Sequence, residues 1–501
     1  MSQRPRRPGS SSGRPGSTRG YRAGRPQKYG RPGGGGPQPP ERSPDFREPK
    51  ANPASIPHLA PTGQLAERAV EAADAALKAV LVDHTTPVWS LDTFRLAHRQ
   101  APWSWLDAWF VDSAIRSLFR WWGWIAPIEG MSTAERLMLA SLMDAHQVHP
   151  VVRQWARMAD RNLSGLMTLG DAPTWTAKTD GFKRLVAPRT PVVDPWRLFP
   201  AWFREAVELP PGPETPKVRG VRLIEALQQP SPLWLRCQGG EPEVIWNELR
   251  DLGLKPWVHR KVGTAARLET ELDLEQIPAY MHGRLERQDL SAQAIAPACA
   301  PLPGQRWWVT HAGAGAEHLH LAALMNGRGV VVVTDGAGTP NKSIALHVRR
   351  TIFRNITTKD WDGKHVAGKK RSFDGVLLEP PSSGVGTWRS KPETRWLLRA
   401  ETRARLPKEQ RELLAIAAEG VRPGGFLVYA VPTLTTEETT GVIAHFLKEQ
   451  PEFHVDPFPH PLEGGVTSGQ LHLYPSATAS DGWFIAALMR RAGSGAQATE
   501  A

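Results

Sequence analysis

The sequence predicts an α/β protein, with a doubly wound parallel sheet in the C-terminal half, a smaller α/β module before it and an all-helical region before that. Three observations predict this. From Gly304 onward the β-rich runs WWVTHA, GVVVVTD, ITTKDWD, DGVLLEP and GFLVYAV alternate with helical segments, as parallel strands joined by crossovers do. Upstream, PLWLRCQ (232–238), EPEVIWNELRDLG (241–253) and LKPWVHRKV (254–262) read as strand, helix and strand. From about Leu65, apolar residues recur at helical spacing.

A chain of 501 residues should hold about three domains. Residues 1–40 contain nine Arg and Lys, namely Arg4, Arg6, Arg7, Arg14, Arg19, Arg22, Arg25, Lys28 and Arg31, and no acid. Removing these nine from the 62 basic residues leaves 53 against 50 acidic ones, so most of the net charge of +12 belongs to this tail. Its Gly/Pro/Ser/Arg composition cannot bury an apolar core, so residues 1–62 are expected to be disordered. Such a tail is either a salt-sensitive arm for RNA phosphates or a solubilising extension.

Residues 63–165 are expected to be helical. LAERAVEAADAALKAVLVD (65–83), FVDSAIRSLFRWWGWI (110–125) and STAERLMLASLMDAHQ (132–147) carry the period, and Ser132 with Glu135 makes a capping box. Trp103, Trp105, Trp109, Trp121, Trp122 and Trp124 either stack bases or fill a core, and filling a core is the commoner use of such a cluster. Residues 166–195, Pro-rich towards their end, read as a linker; 196–297 form the small module, 298–492 the large sheet, and 493–501 a second disordered tail.

Two cysteines in this length argue against a disulfide-built secreted protein and fit a reducing cytoplasm. The N-terminus lacks the apolar core of a secretory signal, and no run of about 18 apolar residues suggests a membrane span. The chain is therefore expected to be cytoplasmic.

The most specific segment is FDGVLLEPPSSGVGTWRSKPETRW, Phe373 to Trp396. It resembles the catalytic loop of the Nop/Sun family of RNA cytosine-C5 methyltransferases, whose bacterial branch modifies 16S ribosomal RNA. That loop reads roughly D-A-P-C-S-G-x-G followed by R-x-x-P-x-x-x-W. Here the frame is Glu379, Pro380, Pro381, Ser382, Ser383, Gly384, Val385, Gly386, then Arg389, Pro392 and Trp396, with Ser382 at the cysteine position. The family's second cysteine, in a Y-S-T-C-S strand end, corresponds to Pro432 in GGFLVYAVPTLTTEE (424–438). Further similarity runs through Leu198–Phe203, through Gln288, Asp289, Ser291 and Gln293 in GRLERQDLSAQAIAP, and through Pro475, Asp481, Gly482 and Phe484 near the end. It covers roughly Trp196 to Leu488.

The resemblance implies a Rossmann-like class I S-adenosylmethionine-dependent methyltransferase domain, a ferredoxin-like small module and a NusB-like helical domain. It also implies donor contacts at the strand ends. In GQRWWVTHAGAGAEHLHLAALM, Gly313 and Gly315 let a ligand approach the backbone, but Val309 replaces the family's acid and Glu317 its lysine. Asp335 corresponds to the ribose-binding carboxylate, unless it caps the next helix. Asp362, with Asp360 as the alternative, stands where relatives keep an aspartate near adenine. Arg236, Arg389 and Arg395 are the candidate RNA contacts.

The chemistry argues against the family reaction. A thiolate must add to carbon 6 of cytosine before carbon 5 can take a methyl group. Serine needs an adjacent base to become a nucleophile, and proline has none. No catalytic residue is therefore expected, Ser382 and Pro432 being degenerate positions, and Cys237 and Cys299 fall in other segments. The expected protein is a monomeric RNA-binding pseudoenzyme whose partner is ribosomal RNA, with S-adenosylmethionine held weakly if at all. The alternative is a methyltransferase acting on nitrogen or ribose oxygen, which needs no thiol.

Overall fold

The computed structural model describes residues 62–85, 105–269, 272–312, 315–336 and 342–492. The tails expected to be disordered, save Thr62, lie outside the described residues, as do Trp103 and Gly313.

The helical region contains Thr62–Lys78, Trp105–Ile125, Thr133–Asp144 and Pro150–Met158. Ser132 Oγ accepts from the Glu135 N–H at 3.2 Å, so half of the expected capping box is present. The Glu135 carboxylate turns instead to Arg189, 2.8 Å away, and Arg161. The tryptophans behave as core: Trp121 and Trp124 are fully buried, and their indole N–H groups donate to Asp144 and to the Asp194 carbonyl at 2.8 Å each. The stretch expected as a linker carries a helix, Trp175–Val186, whose Phe182, Leu185 and Val186 join that core. Its Pro-rich end hides an amphipathic helix just upstream, and burial of three large apolar side chains fixes that helix in place.

Four strands make the small module: β1 (Leu233–Cys237), β2 (Trp257–Val258), β3 (Ala265–Leu268) and β4 (Leu285–Arg287). They pair antiparallel in the order β2-β3-β1-β4, and Pro242–Asp251 is the helix between the first two. The large sheet holds β5 (Arg306–Thr310), β6 (Val330–Val333), β7 (Ile356–Thr358), β8 (Phe373–Leu378), β9 (Val421–Val431), β10 (Phe453–Val455), β11 (Gln470–Leu473) and β12 (Trp483–Arg490). Its order is β10-β12-β9-β8-β5-β6-β7, with β11 beside β12. Strands β5 to β9 pair in parallel, and β12 runs antiparallel to β9.

Buried on both faces, β5 sends Trp307 into one core and Trp308 into the other, each contributing roughly 3 kcal/mol of transfer free energy. Trp307 has room because its partner on β8 is Gly375: a Cβ there would meet the indole at 2.3 Å. The strand order reverses at β5, so the carboxyl ends of β5, β6 and β8 flank the switch point where such sheets bind ligands. The helical core reaches this side too, for Val385, Trp388, Leu434 and Tyr474 belong to it.

Candidate functional site

The loop after β8 is fixed by its own backbone and by one carboxylate. Gly384 adopts φ +67°, a conformation that favours glycine. Gly386 passes so close to the last hairpin that a Cβ would lie 1.9 Å from the Gly482 carbonyl oxygen and 3.0 Å from the Pro432 carbonyl carbon. Its N–H donates to the Pro432 carbonyl at 3.0 Å, and its own carbonyl accepts from Gly482 N–H at 2.8 Å. Below the loop, buried Glu438 accepts from Ser383 N–H (2.8 Å), Gln410 Nε2 (2.9 Å), Thr435 Oγ1 (2.8 Å) and Thr433 Oγ1 (3.3 Å). Gln410 also donates to the Pro381 carbonyl. Sequence reasoning missed Glu438 because TTEE reads as an exposed helix start; an acid so near a functional strand end was the available signal.

Ser382 lies in this frame half-buried, with its Oγ accepting from Gly384 N–H at 3.3 Å. Among the described residues no His, Asp or Glu is hydrogen-bonded to it. A serine without a base stays a hydroxyl at neutral pH. Pro432 supplies only its carbonyl. Cys237 and Cys299 are free thiols buried in other elements, and burial raises both, Cys237 to about 11, so neither offers a thiolate.

The end of β5 carries the other half of the site. Gly315, His311 and Glu317 follow the strand, and Glu317 Oε2 lies 2.0 Å from where a Gly315 Cβ would be. The Glu317 carboxylate thus fills the turn that the family resemblance reserves for a cation. It is 4% exposed and receives Gln288 Nε2 at 3.3 Å, while its Oε2 has no hydrogen-bond partner. Glu379, at the end of β8, has an equally sealed and unpartnered Oε1. Burial, then the neighbouring Glu317, push Glu379 well above the usual carboxylate range. Burial also raises Glu317, against Gln288 and Arg236. Glu379, lacking these helpers, is the member of the pair that keeps a proton. His311 is held down to about 4 by burial, against Asp335, and its ring meets Trp361 edge-on at 5.0 Å.

The methyl donor implied by the resemblance is tested by these residues. Asp335 is half-buried at the end of β6, and among the described residues one of its oxygens accepts from Gly336 N–H at 2.8 Å, so the ribose side fits. Asp362 is spent on its own loop: it accepts from Lys364 and His365 N–H at 2.8 and 3.0 Å and pairs with His365 Nδ1 at 2.6 Å, which holds it down to about 2. The amino-acid end does not fit, because the Glu317 carboxylate, beside the protonated Glu379, would face the donor's carboxylate with buried negative charge and no free cation among the described residues. Arg236 is near, but among the described residues its hydrogen bonds go to Gln288, Gln238 and the Ala316 carbonyl.

The three arginines expected to meet RNA are corrected by the structure. Arg236 is 1% exposed in β1, whose residues are buried on both faces. Arg389 donates to the Pro230 carbonyl at 3.3 and 3.2 Å. Arg395 is fully buried and donates to Gln228 and to the carbonyls of Arg120, Leu198, Leu227 and Trp388. Arg389 and Arg395 fasten the loop to the helical region, helped by Trp396 Nε1 on the Phe119 carbonyl at 3.1 Å and by Trp388 packing 4.9 Å from Phe203. A guanidinium buried and turned onto internal acceptors is not presented to phosphate.

The sheet order, with antiparallel β12 beside β9 and the loops at the switch point, defines a Rossmann-like domain. Residues 296–489 match the model described as 16S rRNA methyltransferase RsmB/F. Ribosomal RNA small subunit methyltransferase B of Salmonella arizonae is 31% identical over 273 residues, 54% of this chain and 62% of that protein. The same enzyme of Salmonella paratyphi B is 30% identical over 274 residues. The chain thus spans less than two thirds of the length of these curated relatives. The crystal structure of PH0851 shares the fold, with a TM-score of 0.64 and 21% identity over 87% of this chain and 99% of that one. No helix among the described residues is long and apolar enough to cross a membrane.

Proposed function

We propose that this chain binds ribosomal RNA, the substrate named for its relatives, and does not methylate cytosine C5. One observation carries the reading. The catalytic-loop frame is held by Gly384, Gly386 and the four hydrogen bonds to Glu438, yet both thiol positions are occupied by Ser382 and Pro432. Packing that holds a loop in shape without its nucleophile supports a role in binding. The crowding of Glu317 and Glu379 at the donor site supports the same reading. The chain acts in the cytoplasm on this reading, as a monomer.

The test measures binding and transfer together. Purified chain is titrated into labelled small-subunit rRNA fragments and then supplied with S-adenosylmethionine carrying a labelled methyl group. Saturable RNA binding without label in the RNA is expected; no RNA binding would refute the proposal. Asp335 favours a second reading, methyl transfer to nitrogen or ribose oxygen. It predicts calorimetrically detectable donor binding that weakens in Asp335→Ala, and absence of donor binding in the unaltered chain would dispose of it.

A further inference from the structure

The sheet of the small module carries a row of side chains that the loop and the donor site do not use. Antiparallel register places Arg267 of β3 beside Trp257 of β2 on one side and Trp234 of β1 on the other. Directly opposed residues on neighbouring strands share a face, so the three form a line across the sheet. The Arg267 guanidinium carbon stands 4.6 Å from the Trp257 ring centroid, a cation–π contact. Trp234 and Trp257 meet edge-on at 6.2 Å, and His259, two residues along from Trp257, joins them at 5.9 Å. Val262 N–H donates to His259 Nδ1 at 3.1 Å, so the neutral imidazole carries its proton on Nε2.

These four side chains, with Glu463 and Ala479 on the opposite wall, line a cavity of about 190 Å³. Trp257 is 44% exposed, the only exposed tryptophan side chain among those described. An indole left in water beside an open cavity marks a binding surface. Lys255, Arg260 and Lys261 are exposed in the chain flanking Trp257 and His259, while Glu463 lines the cavity and Glu269 pairs with Arg267 at 3.0 Å. Flat aromatic faces edged by cations suit unpaired bases on a polyanionic backbone, and a duplex, with its bases stacked inside, could not use them.

We infer that this cavity is a stacking site for one unpaired nucleobase of single-stranded RNA, with Trp257 as platform and Arg267, Lys255, Arg260 and Lys261 as the cations for its backbone. The inference rests on the RNA-binding reading above and names the class of RNA that the small module takes. It is tested on the full chain by fluorescence anisotropy with a labelled single-stranded oligoadenylate, at salt high enough to suppress purely electrostatic binding. Trp257→Ala should weaken binding roughly 5- to 150-fold, Trp257→Phe should restore most of it, and Arg267→Gln should lower the salt slope by about one phosphate contact. Circular dichroism and melting of Trp257→Ala should match the unaltered chain, because the side chain is exposed. Binding unchanged in Trp257→Ala, or equal affinity for a duplex of the same length, overturns the stacking site and leaves RNA binding intact. Failure of the unaltered chain to bind any RNA overturns both.

Discussion

Glu438 gives the sharpest prediction about the loop, because two substitutions there should behave very differently. Its Oε2 accepts from the Ser383 N–H and from Gln410, and its Oε1 from the hydroxyls of Thr433 and Thr435. In Glu438→Ala the Ser383 N–H and the Gln410 amide lose that acceptor where water has little access. Each such group costs about 1–3 kcal/mol, so a loss of about 3–5 kcal/mol follows for the pair with the two hydroxyls. That is a large share of a stability of about 5–15 kcal/mol. Glu438→Gln should cost about 1 kcal/mol. Its carbonyl can still accept from Ser383 and Gln410, and its amide can donate to two hydroxyls that rotate to accept. Urea denaturation followed by tryptophan fluorescence measures both. Glu438→Ala within about 1 kcal/mol of the unaltered chain, or Gln as damaging as Ala, would rule out this role for the Glu438 carboxylate.

Three further outcomes are expected. Asp289 is raised from 3.8 to about 7 by burial and by Asp481, so the folded state holds a proton that the unfolded state releases. That contribution to stability is complete below pH 4 and lost as pH rises through 7; Asp289→Asn should flatten the urea midpoint between pH 5 and 8, an effect on the order of 2–4 kcal/mol. Gly386→Ala should lower stability by about 3 kcal/mol, since its Cβ meets backbone at 1.9 Å, whereas Gly384→Ala, with nothing nearer than Thr387 Oγ1 at 3.5 Å, should cost about 1 kcal/mol; thermal melting separates them. Glu317→Gln should strengthen S-adenosylmethionine binding in calorimetry by about tenfold, because one buried like charge leaves the site.

The fold was legible because its signals are periodic and local. Alternating β-rich and helical runs marked every parallel strand, and Gly384 and Gly386 fall where the loop needs a positive φ and a close backbone approach. The site was legible in place and poorly legible in direction. Arg236, Arg389 and Arg395 stand in RNA-enzyme motifs, and sequence cannot show that their guanidinium groups turn inward onto carbonyls. Burial of all five residues of β1 leaves no period-2 pattern to reveal Arg236 as internal. Glu438 was invisible for the opposite reason, a charged residue in a polar run whose burial depends on contacts with Ser383 and Gln410 far along the chain. Glu317 was flagged as a charge reversal, and the structure adds that its carboxylate occupies the turn itself.

On the proposed reading the loop around Ser382 keeps its frame and has lost the cytosine-C5 reaction. The most direct measurement is nucleoside mass spectrometry of unmodified 16S rRNA after incubation with the purified chain and S-adenosylmethionine. On that reading no 5-methylcytosine above a control lacking the chain is expected. Formation of 5-methylcytosine that disappears in Ser382→Ala would contradict it.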